Sequence, residues 1–158
     1  RVSRGLGDVY KRQGGPVVTD TLETSTPGIF ACGNVLHVHD LVDYVSEESS
    51  LAGEKAADYI LEDTTDANNP ISVVTEEGIR YCVPQFIQPT PIEPTTLRFR
   101  VDKVYKNAYK CLYFDDTLVL RKKKRIFTPG EMENFILTPD LFTAHPNLKS
   151  ITLKIERS

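Results

Sequence analysis

The chain has 158 residues, 40% of them hydrophobic and 26% charged, a balance that suits one globular domain or two small ones and excludes collagen-like and low-complexity classes. A net charge of −3 gives no electrostatic reason to expect nucleic acid or an anionic membrane surface as partner, and no apolar run approaches the roughly 20 residues that span a bilayer. Cys32, Cys82 and Cys111 are odd in number and widely spaced, which leaves neither a disulfide framework nor a CxxC dithiol.

Ser3 to Gln13, SRGLGDVYKRQ, reads as the one-frame translation of an adapter used in transposase-based sequencing libraries. Residues 1–13 are therefore expected to be an assembly artefact and are set aside from fold reasoning. Gly14-Gly15-Pro16 is a turn, and Val17 to Asp20 a short strand or strand entry before Thr21 to Thr26.

Gly28 to Cys32 is a short apolar run closed by Gly33, which predicts a buried strand ending in a tight turn. A helix is expected from about Asp40, with Asp40 as its cap and Asp43 completing a capping-box-like pair. Leu41, Val45, Ala52, Ala56, Tyr59 and Ile60 supply its apolar spacing, while Glu47, Glu48, Glu54 and Lys55 form its solvated face. A strand, a glycine turn and a helix N-terminus together suit the phosphates and ribose of a dinucleotide.

Within this stretch His37-x-His39-Asp40-x-x-Asp43 has the residue types of a metal site. The simpler assignment makes Asp40 a cap, places Asp43 in the helix and leaves the histidines lining a loop, with no metal ligand assigned. His37 and His39 remain weak candidates for proton carriers, because imidazole titrates near neutrality. Cys32, before the glycine turn, is read as a small apolar residue.

Glu62 to Pro70 has no apolar periodicity and ends in a proline, which marks a domain boundary. Ile71–Thr75 and Ile79–Val83 flank Glu76-Glu77-Gly78 and predict a hairpin, after which Pro84, Pro89, Pro91 and Pro94 make a stiff spacer. Period-two alternation at 97–101, 109–113 and 118–120, with further strands at 135–137 and 151–155, predicts a small antiparallel sandwich or barrel. Asp115-Asp116 is a turn, and Thr138 to Phe142 the start of one helical turn. The basic run Arg121 to Arg125 continues a strand without interleaved aromatics and reads as a solvated face.

Two stretches carry a resemblance. Thr26 to Asn34, TPGIFACGN, resembles the second FAD-binding motif of the pyridine nucleotide–disulfide oxidoreductase superfamily, in which "PGIFA" is followed by a small residue and "GD". Cys32 to Asp43, CGNVLHVHDLVD, and Pro129 to Glu133, PGEME, together resemble a bacterial subgroup similar to the accessory flavoprotein of anaerobic glycerol-3-phosphate dehydrogenase systems. The resemblance runs from Gly14 to the C-terminus. It implies an α+β fragment, the strand–turn–helix end of an FAD-binding Rossmann-like domain followed by the β-rich module.

Carried over by position, Gly33 lies by the pyrophosphate and ribityl chain, and Asn34 replaces the acidic residue that hydrogen-bonds the ribityl chain. Val42 and Asp43 begin the helix facing the flavin's pyrimidine edge. Asn34 keeps hydrogen-bonding capacity but no charge. The expected organisation is an artefact at 1–13, the end of the FAD domain at 14–62, a linker with hairpin at 63–95 and the β module at 96–158. Upstream sequence would then hold the first GxGxxG loop and the NAD(P) site.

The resemblance implies an FAD-dependent, NAD(P)-linked cytoplasmic oxidoreductase that passes electrons to a small-molecule substrate or a partner flavoprotein subunit, without nucleic acid or membrane insertion. This fragment alone would be inactive. Two rival readings are a non-catalytic β module that docks a partner subunit, and a subunit of an amine or opine dehydrogenase.

Overall fold

Strands form where side chains alternate between an apolar and a polar environment, and the C-terminal half of the chain does this repeatedly. The computed structural model describes residues 15–61 and 69–157, so the expected artefact at 1–13 and most of the polar boundary after Leu61 lie outside the described residues. Eight strands follow: β1 Ile71–Thr75, β2 Ile79–Val83, β3 Phe86–Ile87, β4 Thr95–Val101, β5 Tyr105–Phe114, β6 Thr117–Phe127, β7 Glu133–Leu137 and β8 Ser150–Arg157. Helix α1 spans Val42–Leu61, and a short α2, Pro139–Thr143, opens with proline in its first turn as the sequence suggests.

The strands make two sheets, one of five strands in the order β3-β1-β8-β5-β6 and one of three in the order β2-β4-β7. Their facing sides meet in one core. Leu97, Phe99 and Val101 of β4 and Phe135 and Leu137 of β7 pack with Leu112, Phe114, Ile151 and Leu153 of the larger sheet. The rings of Phe99 and Phe135 stack with centroids 5.7 Å apart. Asp115, at a φ of 48°, turns the chain between β5 and β6.

A second, smaller core lies on the other side of the three-stranded sheet. Val18, Leu22, Ala31, Leu36 and Ala52 from the N-terminal segment pack there on Tyr81 and Val83 of β2. Alternation along β2 serves both cores, and an irregularity sets which residues face each. The pairing of β2 with β4 shifts between Ile79 and Tyr81, so Ile79 and Cys82 face the main core while Tyr81 and Val83 face the second. Gln85 ties the segment down: its side-chain oxygen accepts the Val18 N–H at 2.8 Å and its amide nitrogen donates to the Cys82 carbonyl at 2.8 Å.

Four expectations are corrected. Residues 71–83 do not form a hairpin: the turn at Gly78 exists, with a φ of 88°, but β1 pairs with β3 and β8 whereas β2 pairs with β4. The two strands belong to different sheets, and the chain crosses between them at that turn. The larger sheet is mixed rather than antiparallel, because β1 runs parallel to β8, with Val73 opposite Ile151.

Gly28 to Cys32 is not a strand either. Phe30 makes a single bridge to Glu23, and Gly28, at a φ of 75°, turns the chain against Tyr59 of α1. Finally, α1 begins at Val42 instead of near Asp40, and it buries only Glu48 and Ala52, leaving Ile60 81% exposed. Among the described residues no helix is long and apolar enough to cross a membrane.

Candidate functional site

The loop from Gly33 to Leu41 is built on one glycine. Gly33 sits at a φ of 66°, which glycine adopts without strain, and its carbonyl accepts the N–H groups of Leu36 and His37, closing a 3-10 turn over Gly33–Val35. Leu36, fully buried in the second core, pins the middle of the loop. The chain then passes through His37 and His39 to the start of α1.

Both histidines turn inward onto Glu48. His37 Nε2 lies 3.0 Å from one carboxylate oxygen, and His39 Nε2 lies 3.0 Å from the other. Because an ionised carboxylate only accepts, both Nε2 atoms carry the proton. The Gly33 N–H donates to the Glu48 oxygen shared with His39, at 2.6 Å. The three side chains are 0%, 1% and 2% exposed, the imidazole centroids are 4.3 Å apart, and His37 meets Tyr81 edge-on.

Burial lowers the pKa of His37, more than Glu48 raises it, so the imidazole stays neutral. Burial alone would raise Glu48, but the donors of His37, His39 and Gly33 outweigh it and hold the carboxyl below its usual range. The Nδ1 atoms of both histidines are buried without a hydrogen-bond partner among the described residues.

Asp40 faces the three-stranded sheet. On β4 the core-facing residues alternate with Arg98 and Arg100, and Arg100 reaches back to this loop. Its Nη2 donates to Asp40 at 2.5 Å and to the Val38 carbonyl at 2.9 Å, its Nη1 to the Pro129 carbonyl at 3.3 Å, and its Nε to the Tyr81 hydroxyl at 3.1 Å. The other Asp40 oxygen accepts the Met132 N–H at 2.6 Å. Burial raises Asp40 while these donors lower it, and the donors win. Asp40 therefore joins the 32–43 stretch to the 129–133 turn, whereas the sequence reading made it a helix cap.

The opposite side of the loop faces outward. Asn34 is exposed, as are Val35 (65%), Val38 (62%), Leu41 (56%) and Val42 (75%), with Asp43 in the first turn of α1. Of the expected cofactor-binding residues, Asn34, Val42 and Asp43 thus lie on the surface, while Gly33 is buried and its N–H is engaged by Glu48. His37 and His39 stand behind this rim, turned away from it.

Sequence reasoning missed Glu48, assigned to the solvated helix face, and Arg100. A signal for each existed: Glu48 lies one helical turn before Ala52, and Arg100 alternates with Phe99 and Val101 on a strand whose second face is also covered. All three cysteines are free. Cys82 is pushed well above its usual range by complete burial, and Cys111 is pushed up to about 11, chiefly by burial.

Beside α1, a cleft of about 320 Å³ is lined by Asp20, Leu22, Leu51, Lys55, Ile92 and Arg98 among others. Burial raises the pKa of Asp20 there, against opposing hydrogen bonds and Lys55, and its Oδ1 has no hydrogen-bond partner among the described residues. The chain matches no protein-family model, no curated protein and no solved structure, so the chemistry of this site has to be read from its own residues.

Proposed function

We propose that the chain is the C-terminal part of an FAD-dependent, NAD(P)-linked oxidoreductase and that its outward loop rim forms one wall of the flavin site. The observation that carries this reading is the exposed set Val35, Val38, Leu41 and Val42 gathered beside Asn34 at the head of the 20-residue helix α1. Exposed apolar side chains clustered next to a polar amide and a helix N-terminus suit a flat, mostly apolar ring with a polar edge. The resemblance of TPGIFACGN to a flavin motif supports the same assignment.

Bound FAD would supply the redox chemistry, and this chain's residues would hold and tune it. Asn34 would hydrogen-bond the ribityl chain, and the helix N-terminus at Val42 and Asp43 would favour negative charge at the pyrimidine edge. Gly33 contributes a close approach of backbone rather than its N–H. Sequence upstream of Gly14 would carry the NAD(P) site and the first phosphate loop, so that the parent enzyme passes electrons onward to a small-molecule substrate or partner flavoprotein.

The test is made on the parent polypeptide, recovered from the genomic DNA upstream of the Gly14 codon. It should purify with visible flavin absorbance, Asn34→Ala should weaken flavin retention about tenfold or more, and Asn34→Asp should restore it. A parent polypeptide that stays colourless when FAD is supplied overturns the reading.

A further inference from the structure

The buried side-chain cluster behind the rim asks for a separate explanation. We infer that His37, His39 and Glu48 form a binding site for one divalent transition-metal ion of the zinc class, holding the 33–40 loop to helix α1. This inference does not depend on the flavin reading. It also departs from the sequence-based expectation, which assigned the motif no metal ligand and paired the histidines with Asp40 and Asp43 instead of Glu48.

Three observations support it. First, the donor set is right: two imidazoles from the loop and one carboxylate from the helix converge, with ligand atoms all within 4.8 Å of one another. Each Nε2 lies 3.0 Å from a different Glu48 oxygen, so an ion would replace these two hydrogen bonds and draw the ligand atoms, now within 4.8 Å of one another, toward the roughly 3.3 Å edge of a tetrahedron with 2.0–2.1 Å bonds. Two histidines with one glutamate is a donor set that holds zinc.

Second, the carboxylate is buried at the centre of the cluster. Glu48 is 2% exposed, and its ion-pair partners among the described residues are the two histidines alone. Burying a carboxylate is costly, and a divalent cation would offset that cost.

Third, each Nδ1 is buried without a hydrogen-bond partner among the described residues, so no acceptor or donor fixes its state; ligation at Nε2 would replace the Nε2–H···Glu48 bond and leave the ring proton on Nδ1. With the three side chains at most 2% exposed, the ion would be shielded, and its effect is to stabilise the fold.

The experiment uses the 158-residue chain, stripped with chelator and then offered Zn²⁺ or Co²⁺ with Mg²⁺ as control. One equivalent of Zn²⁺ should survive gel filtration, the thermal midpoint should rise with Zn²⁺ and not with Mg²⁺, and Co²⁺ should give visible absorption bands. X-ray absorption on the zinc form should show nitrogen and oxygen neighbours with imidazole scattering and no sulfur. Glu48→Gln and His39→Gln should each weaken Zn²⁺ binding a hundredfold or more, beyond the 10–100-fold typical of outer-shell changes. Failure of the wild-type chain to retain Zn²⁺ or Co²⁺ overturns the proposal, whatever the variants do, and so does a sulfur neighbour or a folded Glu48→Gln chain that binds as tightly.

Discussion

Asp40 Oδ2 accepts the backbone N–H of Met132 at 2.6 Å, a contact between residues 92 apart in the chain. Through it, and through Arg100 on the other oxygen, the PGEME turn is fastened to the loop that carries Asn34. The turn has no reactive group of its own in this arrangement. Its residues Glu131 and Glu133 pair with Lys124, and Glu133 also with Lys110, which holds the turn rigid behind the loop.

Arg100 is the centre of that junction, and its removal should be felt. Arg100→Ala deletes hydrogen bonds to Asp40, Tyr81 and two carbonyls from a largely buried position, and should cost about 2–4 kcal/mol in urea unfolding. Asp40→Asn, which keeps an acceptor for one donor, should cost about 1–2 kcal/mol. Equal losses for the two variants would mean that Asp40 alone holds the junction.

Gly78 should tolerate no side chain. Its φ of 88° is unfavourable for any other residue, and a Cβ there would sit 2.7 Å from Ile155 Cβ and 3.0 Å from the Tyr105 hydroxyl. Gly78→Ala is expected to lower stability by about 2 kcal/mol or more, whereas Gly53→Ala, with open space around it in α1, should be neutral or gain up to about 1 kcal/mol.

Asp20 gives a pH dependence of a definite sign. Burial raises its folded pKa above the ordinary 3.8, so between those two values the folded chain binds more protons than the unfolded one. Acidification through that window therefore favours folding at this site, and ionisation above it costs stability. Asp20→Asn should raise stability at pH 7 by about 1 kcal/mol, and the gain should shrink as the pH approaches 4. A gain that is constant across this range would show that Asp20 does not titrate abnormally.

Thiol reactivity should separate the cysteines. Cys32 is partly exposed, whereas Cys82 and Cys111 are buried with their thiols held protonated. Iodoacetamide on the folded chain should label Cys32 first, with Cys82 and Cys111 modified only after denaturation. Mass spectrometry of timed digests reads the order directly.

The β-rich part was legible in the sequence because alternation is a local signal. Leu97, Phe99 and Val101, or Ile151, Leu153 and Ile155, announce a half-buried strand by themselves. Which strands pair is not local. The parallel match of Ser72–Thr75 with Ser150–Leu153 joins segments far apart in sequence, and proximity favoured a hairpin with Ile79–Val83 instead. Glu48 failed for another reason: a helical glutamate is usually solvated, and the partners of this one, His37, His39 and the Gly33 N–H, come from a loop whose inward turn is not a local signal.

The burial of β2 on both faces also governs how the molecule comes apart. Because β2 lends side chains to both apolar clusters, neither neighbour can detach without stripping cover from a strand the other still needs. Chemical denaturation should consequently register the helical segment and the strand layers melting in a single step, with far-UV ellipticity and tyrosine fluorescence tracing one superimposable curve.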